Sequence, residues 1–130
     1  MFLIKVKIYF PIQKGGQILY ILVGLICPLI ILITGYLLKS FPPKDINGLN
    51  GYKTKMSRKN IKTWNEANEY STKLLIKFSW LALLISVVSS LVLGKSYIIV
   101  EVFISMFLII ISLIALVELT EKHLKNVFGE

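Results

Sequence analysis

The stretch ILYILVGLICPLIILITGYLL, residues 18–38, decides the fold. No charged residue interrupts it, and 14 of its positions are Ile, Leu or Val. At a rise of about 1.5 Å per residue, such a helix is about 31 Å long, which matches a hydrocarbon core of roughly 30 Å. Each aliphatic residue adds roughly −0.3 to −0.6 kcal/mol to insertion, outweighing the helix-weakening Gly24, Pro28 and Gly35. The apolar core is too long for a cleaved signal peptide, and no small-x-small site follows it. Leu25-Ile26 before Cys27 also lack the small residues expected ahead of a lipidated cysteine. The segment reads as a permanent membrane anchor.

Working outward, two further apolar runs follow, from about Leu74 to Leu93 and from about Ser96 to Val117. Only Gly94 and Lys95 separate them, so they form a tight helical hairpin. The chain therefore reads as an all-α membrane protein with three transmembrane helices, 18–38, 74–93 and 96–117. A segment 1–17 precedes them, a basic loop 39–73 joins the first two, and a tail 118–130 closes the chain. Composition agrees: 130 residues are 55% hydrophobic with a mean hydropathy of +0.73. A soluble domain of this size has no core large enough to hide three such runs, and so apolar a chain is not disordered. The single cysteine excludes an intramolecular disulfide. Phe2 to Phe10 alternates apolar and polar residues, a strand-like or interfacial pattern cut off from the first helix by Pro11 and Gly15-Gly16. There is no internal repeat.

The formal charge of +8 comes from 15 Lys plus Arg against 7 Asp plus Glu. Nine basic residues lie from Lys39 to Lys77, and Lys122 and Lys125 bring that side to 11. Lys5, Lys7, Lys14 and Lys95 place 4 on the other. The positive-inside rule then puts the long loop and the C-terminus in the cytoplasm, and the N-terminus and the hairpin outside. Topology accounts for the basic excess, so direct nucleic-acid binding is not needed to explain it.

The loop carries the most information. Pro42-Pro43 stop the first helix just past the membrane, and Asn47-Gly48 and Asn50-Gly51 are turn dipeptides. Ser57 reads as the N-cap of a short helix, Arg58 to Thr72, that runs directly into the second span. Advancing 100° per residue aligns Trp64, Asn68, Ser71, Leu75, Ala82, Ser86 and Ser89 on one face. Ala82, Ser86, Ser90 and Gly94 recur every four residues, a row of small side chains that admits a neighbouring helix. That neighbour is one of the chain's own helices, or else a foreign peptide or a second copy in a homo-oligomer. Tyr52 and Trp64 have the amphipathic character of headgroup anchors.

Asn47-x-x-x-Gly51-Tyr52-Lys53-Thr54-x-x-Ser57, followed by Trp64-x-x-Ala67-Asn68, resembles the signature loop of the SdpI-like immunity proteins. The tail Thr120-Glu121-x-x-Leu124 with Phe128 is similar to the closing stretch of that family, so the resemblance covers about residues 41–130. Many members carry Arg where this chain has Lys53, which keeps the charge but loses the planar fork. The resemblance implies a polytopic protein of the bacterial cytoplasmic membrane that protects its producer from a secreted toxin peptide. It also implies, as a further role, holding a cytosolic repressor at the membrane. On this reading the signature residues shape the inner mouth or a cytosolic docking surface, with Lys53 facing lipid phosphate or a partner acid. The alternative is a small transporter or channel subunit.

Catalytic chemistry is unsupported. No His, Cys, Asp or Glu cluster has metal spacing, no phosphate-cradling glycine loop precedes a helix, and no cofactor is implied. His123 is the single histidine and is expected to be solvated beside Lys122. Cys27 reads as a small apolar filler. Lys77 snorkels from the second span, and Glu118 and Glu121 are placed to pair with Lys73 or Lys77. Glu101 is the anomaly. Intramembrane acids are functional candidates by default, yet it lies one turn from Tyr97, where interfacial water would hydrate it.

Overall fold

In the computed structural model, which describes residues 16–93 and 95–129, the first apolar run forms α1 (Gly16–Ser40). The second forms α2 (Ile61–Leu93), and a single 3-10 turn (Lys95–Tyr97) leads into α3 (Ile98–Phe128). All three helices are long and apolar enough to cross a membrane. The strand-like or interfacial reading of Phe2–Phe10 lies outside the described residues, as does Gly94. Helix α2 is central, packed against both α1 and α3, which touch each other over a shorter stretch.

The interior is inverted relative to a water-soluble bundle. Small and polar side chains are buried between the spans: Ser79, Ala82, Ser86 and Ser90 on α2, and Glu101 and Ser105 on α3. Large aliphatic and aromatic side chains such as Ile30, Ile33, Leu84, Phe103, Phe107 and Ile114 point outward. Lipid solvates those outer faces at no cost, while small inward residues let the backbones approach. At Gly35, an added β-carbon would stand 2.8 Å from Ile76 Cγ1, so α1 and α2 meet there without room for a side chain.

Pro28 sits inside α1 and is fully buried. Proline has no N–H, so the carbonyl four residues earlier, that of Gly24, loses its helical partner. Ser105 of α3 supplies the replacement, its Oγ donating to the Gly24 carbonyl at 2.8 Å. A helix defect in one span is thus repaired by a hydroxyl from another, a common device where no water is available.

Two helix boundaries differ from the sequence reading. The N-cap of α2 is Asn60, not Ser57: Thr63 N–H donates to Asn60 Oδ1 at 2.9 Å, and Asn60 N–H donates to Thr63 Oγ1 at 3.1 Å. This is a reciprocal box in which a threonine takes the place usually held by glutamate. The third helix continues past Val117 to Phe128, where Gly129 at φ 73° closes it with an N–H bond to the Lys125 carbonyl. The segment expected to be a tail is helix because its apolar positions Leu124 and Phe128 have the loop to pack against.

Candidate functional site

Between α1 and α2 the loop folds into a tight knot. The Phe41 N–H completes the last turn of α1 by bonding to the Leu37 carbonyl, and Pro42-Pro43 then turn the chain. Asp45 Oδ1 accepts the Asn47 N–H at 3.0 Å, an Asx turn. Gly51 has φ 116°. An added β-carbon there would lie 2.7 Å from Asn68 Oδ1, 2.9 Å from Pro43 Cγ and 3.0 Å from Trp64 Cη2. Both the backbone angle and the crowding require glycine.

Trp64 and Asn68, one turn apart on α2, form the floor under that turn. The Trp64 indole is fully buried and donates Nε1–H to the Pro43 carbonyl at 2.8 Å. Asn68 donates Nδ2–H to the Trp64 carbonyl at 2.8 Å and accepts the Tyr52 N–H at 2.7 Å. Thr54 and Ser57 make a second reciprocal box: Thr54 N–H donates to Ser57 Oγ at 2.8 Å, and Ser57 N–H to Thr54 Oγ1 at 3.1 Å. Ser57 Oγ also donates to the Tyr52 carbonyl at 2.9 Å. The serine is fully buried because it holds the loop backbone from three sides.

The end of α3 forms the wall of the same knot. Met56, Ala67 and Leu124 are buried together, with Tyr52 and Phe128 packed against them. The Tyr52 hydroxyl donates to Glu121 Oε1 at 2.8 Å and lies 3.3 Å from the Val117 carbonyl. Burial, and then the bond to the Glu121 carboxylate, push the phenol well above its ordinary value. Thr120 beside it is fully buried. The structure therefore brings the loop motif and the tail motif, separated by two helices in sequence, into one constellation.

Several residues do other things than their sequence suggested. Trp64 and Tyr52 are struts inside the knot, not headgroup anchors. Asn47 and Lys53 are the exposed members of the motif, and Lys53 Nζ bonds to the Gly48 carbonyl. His123 is not simply solvated: its ring stacks on Tyr70 with centroids 3.9 Å apart, and Nε2 lies 2.6 Å from Glu66 Oε1. Lys73 pairs with Glu69 at 2.7 Å and Glu121 with Tyr52, in place of the expected pairing of Glu121 with Lys73 or Lys77. A helical continuation past Val117 would have revealed the buried face of α3, because it sets Leu116, Thr120 and Leu124 in line.

An open groove of about 550 Å³ runs between the end of α1 and the first half of α2. Leu38 and Ile76 form its apolar part, and Lys39, Asn65, Asn68 and Lys73 its polar part.

The second candidate lies among the spans. Glu101 is 2% exposed, so packing, not interfacial water, surrounds it. Its chain lies against Gly24, where an added β-carbon would come within 2.8 Å of Glu101 Cγ and 2.9 Å of Oε1. Ser89 Oγ is 2.8 Å from Oε1. Ser86 and Ser105 face each other one helical turn away at 3.4 Å, a long contact. Ala82, Ser86 and Ser90 thus pack the chain's own helices.

Comparison with known proteins points the same way as the architecture. Residues 44–117 match the SdpI/YfhL protein family, a range that contains the whole signature loop and stops short of the tail motif. The chain is 38% identical to the uncharacterized protein YfhL of Bacillus subtilis over 102 residues, 78% of this chain and 86% of the relative. No solved structure matches. With three apolar helices, the family loop between the first two, and a bacterial relative over most of its length, this chain is a membrane protein of the SdpI/YfhL family.

Proposed function

We propose that the protein is an immunity protein of the bacterial cytoplasmic membrane, antagonising a secreted toxin peptide that attacks that membrane. The observation that carries this reading is the knot itself. The family's loop residues are spent on building a rigid platform at one end of the bundle, with Asn47 and Lys53 left at its surface. With the N-terminus outside, the platform faces the cytoplasm, and the beginning of α1 and the hairpin face the toxin. The groove beside the platform, apolar at its base and edged by Lys39 and the Lys73–Glu69 pair, has the shape to take an amphipathic segment of a cytosolic partner. A signalling role would use that surface.

The decisive experiment compares killing of cells with and without the protein by candidate peptides from the same producer. Protection against one of them is expected, and equal killing by all would remove the reading. Cysteines at Lys55 and Lys59 are expected to resist membrane-impermeant labels in intact cells. Labelling there would reverse the topology. A small transporter subunit is the second reading, favoured by the buried Glu101. It predicts solute or ion flux in proteoliposomes that E101Q abolishes.

A further inference from the structure

The groove between α1 and α2 begins where both helices leave the hydrocarbon. The apolar run of α1 ends at Lys39, and α2 carries no charged residue after Lys77. The close contact of Gly35 with Ile76 holds these two exits at one level. One turn deeper on α2, Trp80 donates Nε1–H to the Tyr36 hydroxyl at 3.2 Å. The pair bridges the two helices on the outside of the bundle, with Trp80 55% and Tyr36 43% exposed. Tryptophan and tyrosine collect at the boundary between hydrocarbon and headgroups. The groove opens directly beyond this marker, so its mouth is at headgroup level and not in bulk water.

From the membrane outward, the lining changes in the order in which a glycerophospholipid changes. Leu38 and Ile76 come first, at the level of the glycerol backbone. Lys39 and Lys73 follow, Lys73 lying about 6 Å of helix rise beyond Lys77, within a headgroup layer of about 5–8 Å. Asn65 and Glu69 lie furthest out and can accept hydroxyl hydrogens. Lys73, Ile76 and Trp80 share one face of α2, so the groove and the aromatic pair are continuous. Glu69 holds Lys73 at 2.7 Å and cancels its charge, which leaves Lys39 to give the lining a net +1. A phosphodiester matches that charge, whereas a headgroup with its own ammonium would leave it uncompensated. The volume of about 550 Å³ lies within the roughly 300–1,000 Å³ of small-molecule sites. We propose that the groove binds one anionic glycerophospholipid with a hydroxylated headgroup. Its phosphate rests against Lys39 and Lys73, and an acyl chain descends past Tyr36 and Trp80. This assignment needs only the membrane position of the chain, not the immunity role or either orientation of the loop. A partner segment would enter the groove by displacing the lipid.

The test places the full-length protein in phosphatidylcholine vesicles containing a minor share of phosphatidylglycerol. One lipid at a time carries brominated acyl chains, which quench tryptophan on contact. Quenching of Trp80 is read as wild type minus Trp80→Phe. Phosphatidylglycerol should be enriched there about five-fold over phosphatidylcholine, the factor that one lysine confers on contact with an anionic headgroup. Lys39→Gln should abolish the preference and Lys39→Arg should keep it. Lys55→Gln removes an equal charge at an exposed loop position outside the groove and should change nothing. No preference, or equal losses from Lys39→Gln and Lys55→Gln, would overturn the proposal. Native mass spectrometry of the protein released from micelles identifies the occupant independently. One phosphatidylglycerol per chain is expected, and less on Lys39→Gln. A zwitterionic lipid, a peptide or a second copy retained in its place would overturn the assignment.

Discussion

Replacing Gly51 by alanine tests the loop knot most sharply, because two independent costs fall on one methyl group. The first is conformational: at φ 116° an L-residue is strained by about 1–3 kcal/mol. The second is steric. The new methyl would stand 2.7 Å from Asn68 Oδ1, and the neighbouring Pro43 and Trp64 atoms at 2.9 and 3.0 Å block escape on the other side. Asn68 must move, which breaks its 2.7 Å bond to the Tyr52 N–H and leaves a half-buried donor without its acceptor, about 1–3 kcal/mol more. The sum is about 2–6 kcal/mol, a large part of a typical stability of about 5–15 kcal/mol. Gly129→Ala is the matched control: its φ is 73° and nothing lies within 4 Å of the added carbon, so only the backbone cost of about 1–2 kcal/mol applies. Both variants can be unfolded in mixed micelles with increasing dodecyl sulfate in a Trp80→Phe background, where fluorescence follows the buried Trp64. If Gly51→Ala is no worse than Gly129→Ala, the crowding described around Gly51 does not exist in the membrane protein.

Ser105→Ala should cost about 0.5–2 kcal/mol by stranding the Gly24 carbonyl, and Pro28→Ala, which restores a backbone N–H, should recover most of that loss. A double-mutant cycle by the same unfolding assay checks it, and additive losses would show that the repair is not needed. Gly24→Ala should destabilise through its clash with Glu101, and less so in the background of Glu101→Ala, where thermal unfolding should reveal the coupling. Tyr52 should stay protonated as pH rises beyond the range where free tyrosines ionise. Its folded value is raised, so its stabilising bond to Glu121 is fully present below the unfolded value and lost only as pH climbs through the folded one. The tyrosinate absorbance of wild type minus Tyr52→Phe should therefore rise later than that of the remaining tyrosines.

The three spans were legible because lipid demands one thing of a helix, about twenty apolar residues, and that demand is local in sequence. The face running from Trp64 to Ser89 was legible for a similar reason: helical geometry carries it without any knowledge of partners. What the sequence concealed was long-range. Nothing near Tyr52 shows that its hydroxyl finds Glu121, or near Trp64 that its indole is capped by Pro43, so interfacial anchoring was the natural expectation for both. The N-cap is Asn60 and not Ser57 because Ser57 closes a box backward with Thr54, whereas Asn60 finds its reciprocal partner Thr63 three residues on. Glu101 was recognisable as unusual from its place in an apolar run. Its burial was not, since that depends on Gly24 leaving space on a different helix.

The unbroken length of α2 has a mechanical consequence. Its 33 residues make a rod of about 50 Å, and the platform is built on the end remote from the hairpin. Trp64 and Asn68 fix the loop to that rod, and His123 and Tyr70 fasten the end of α3 to it. A change in tilt of about 5° about the hairpin end therefore carries the platform sideways by about 4 Å as a unit. Tilt is how a helix accommodates a bilayer of altered thickness. Lipid thinning that tilted this rod about the hairpin end would displace the platform without touching it.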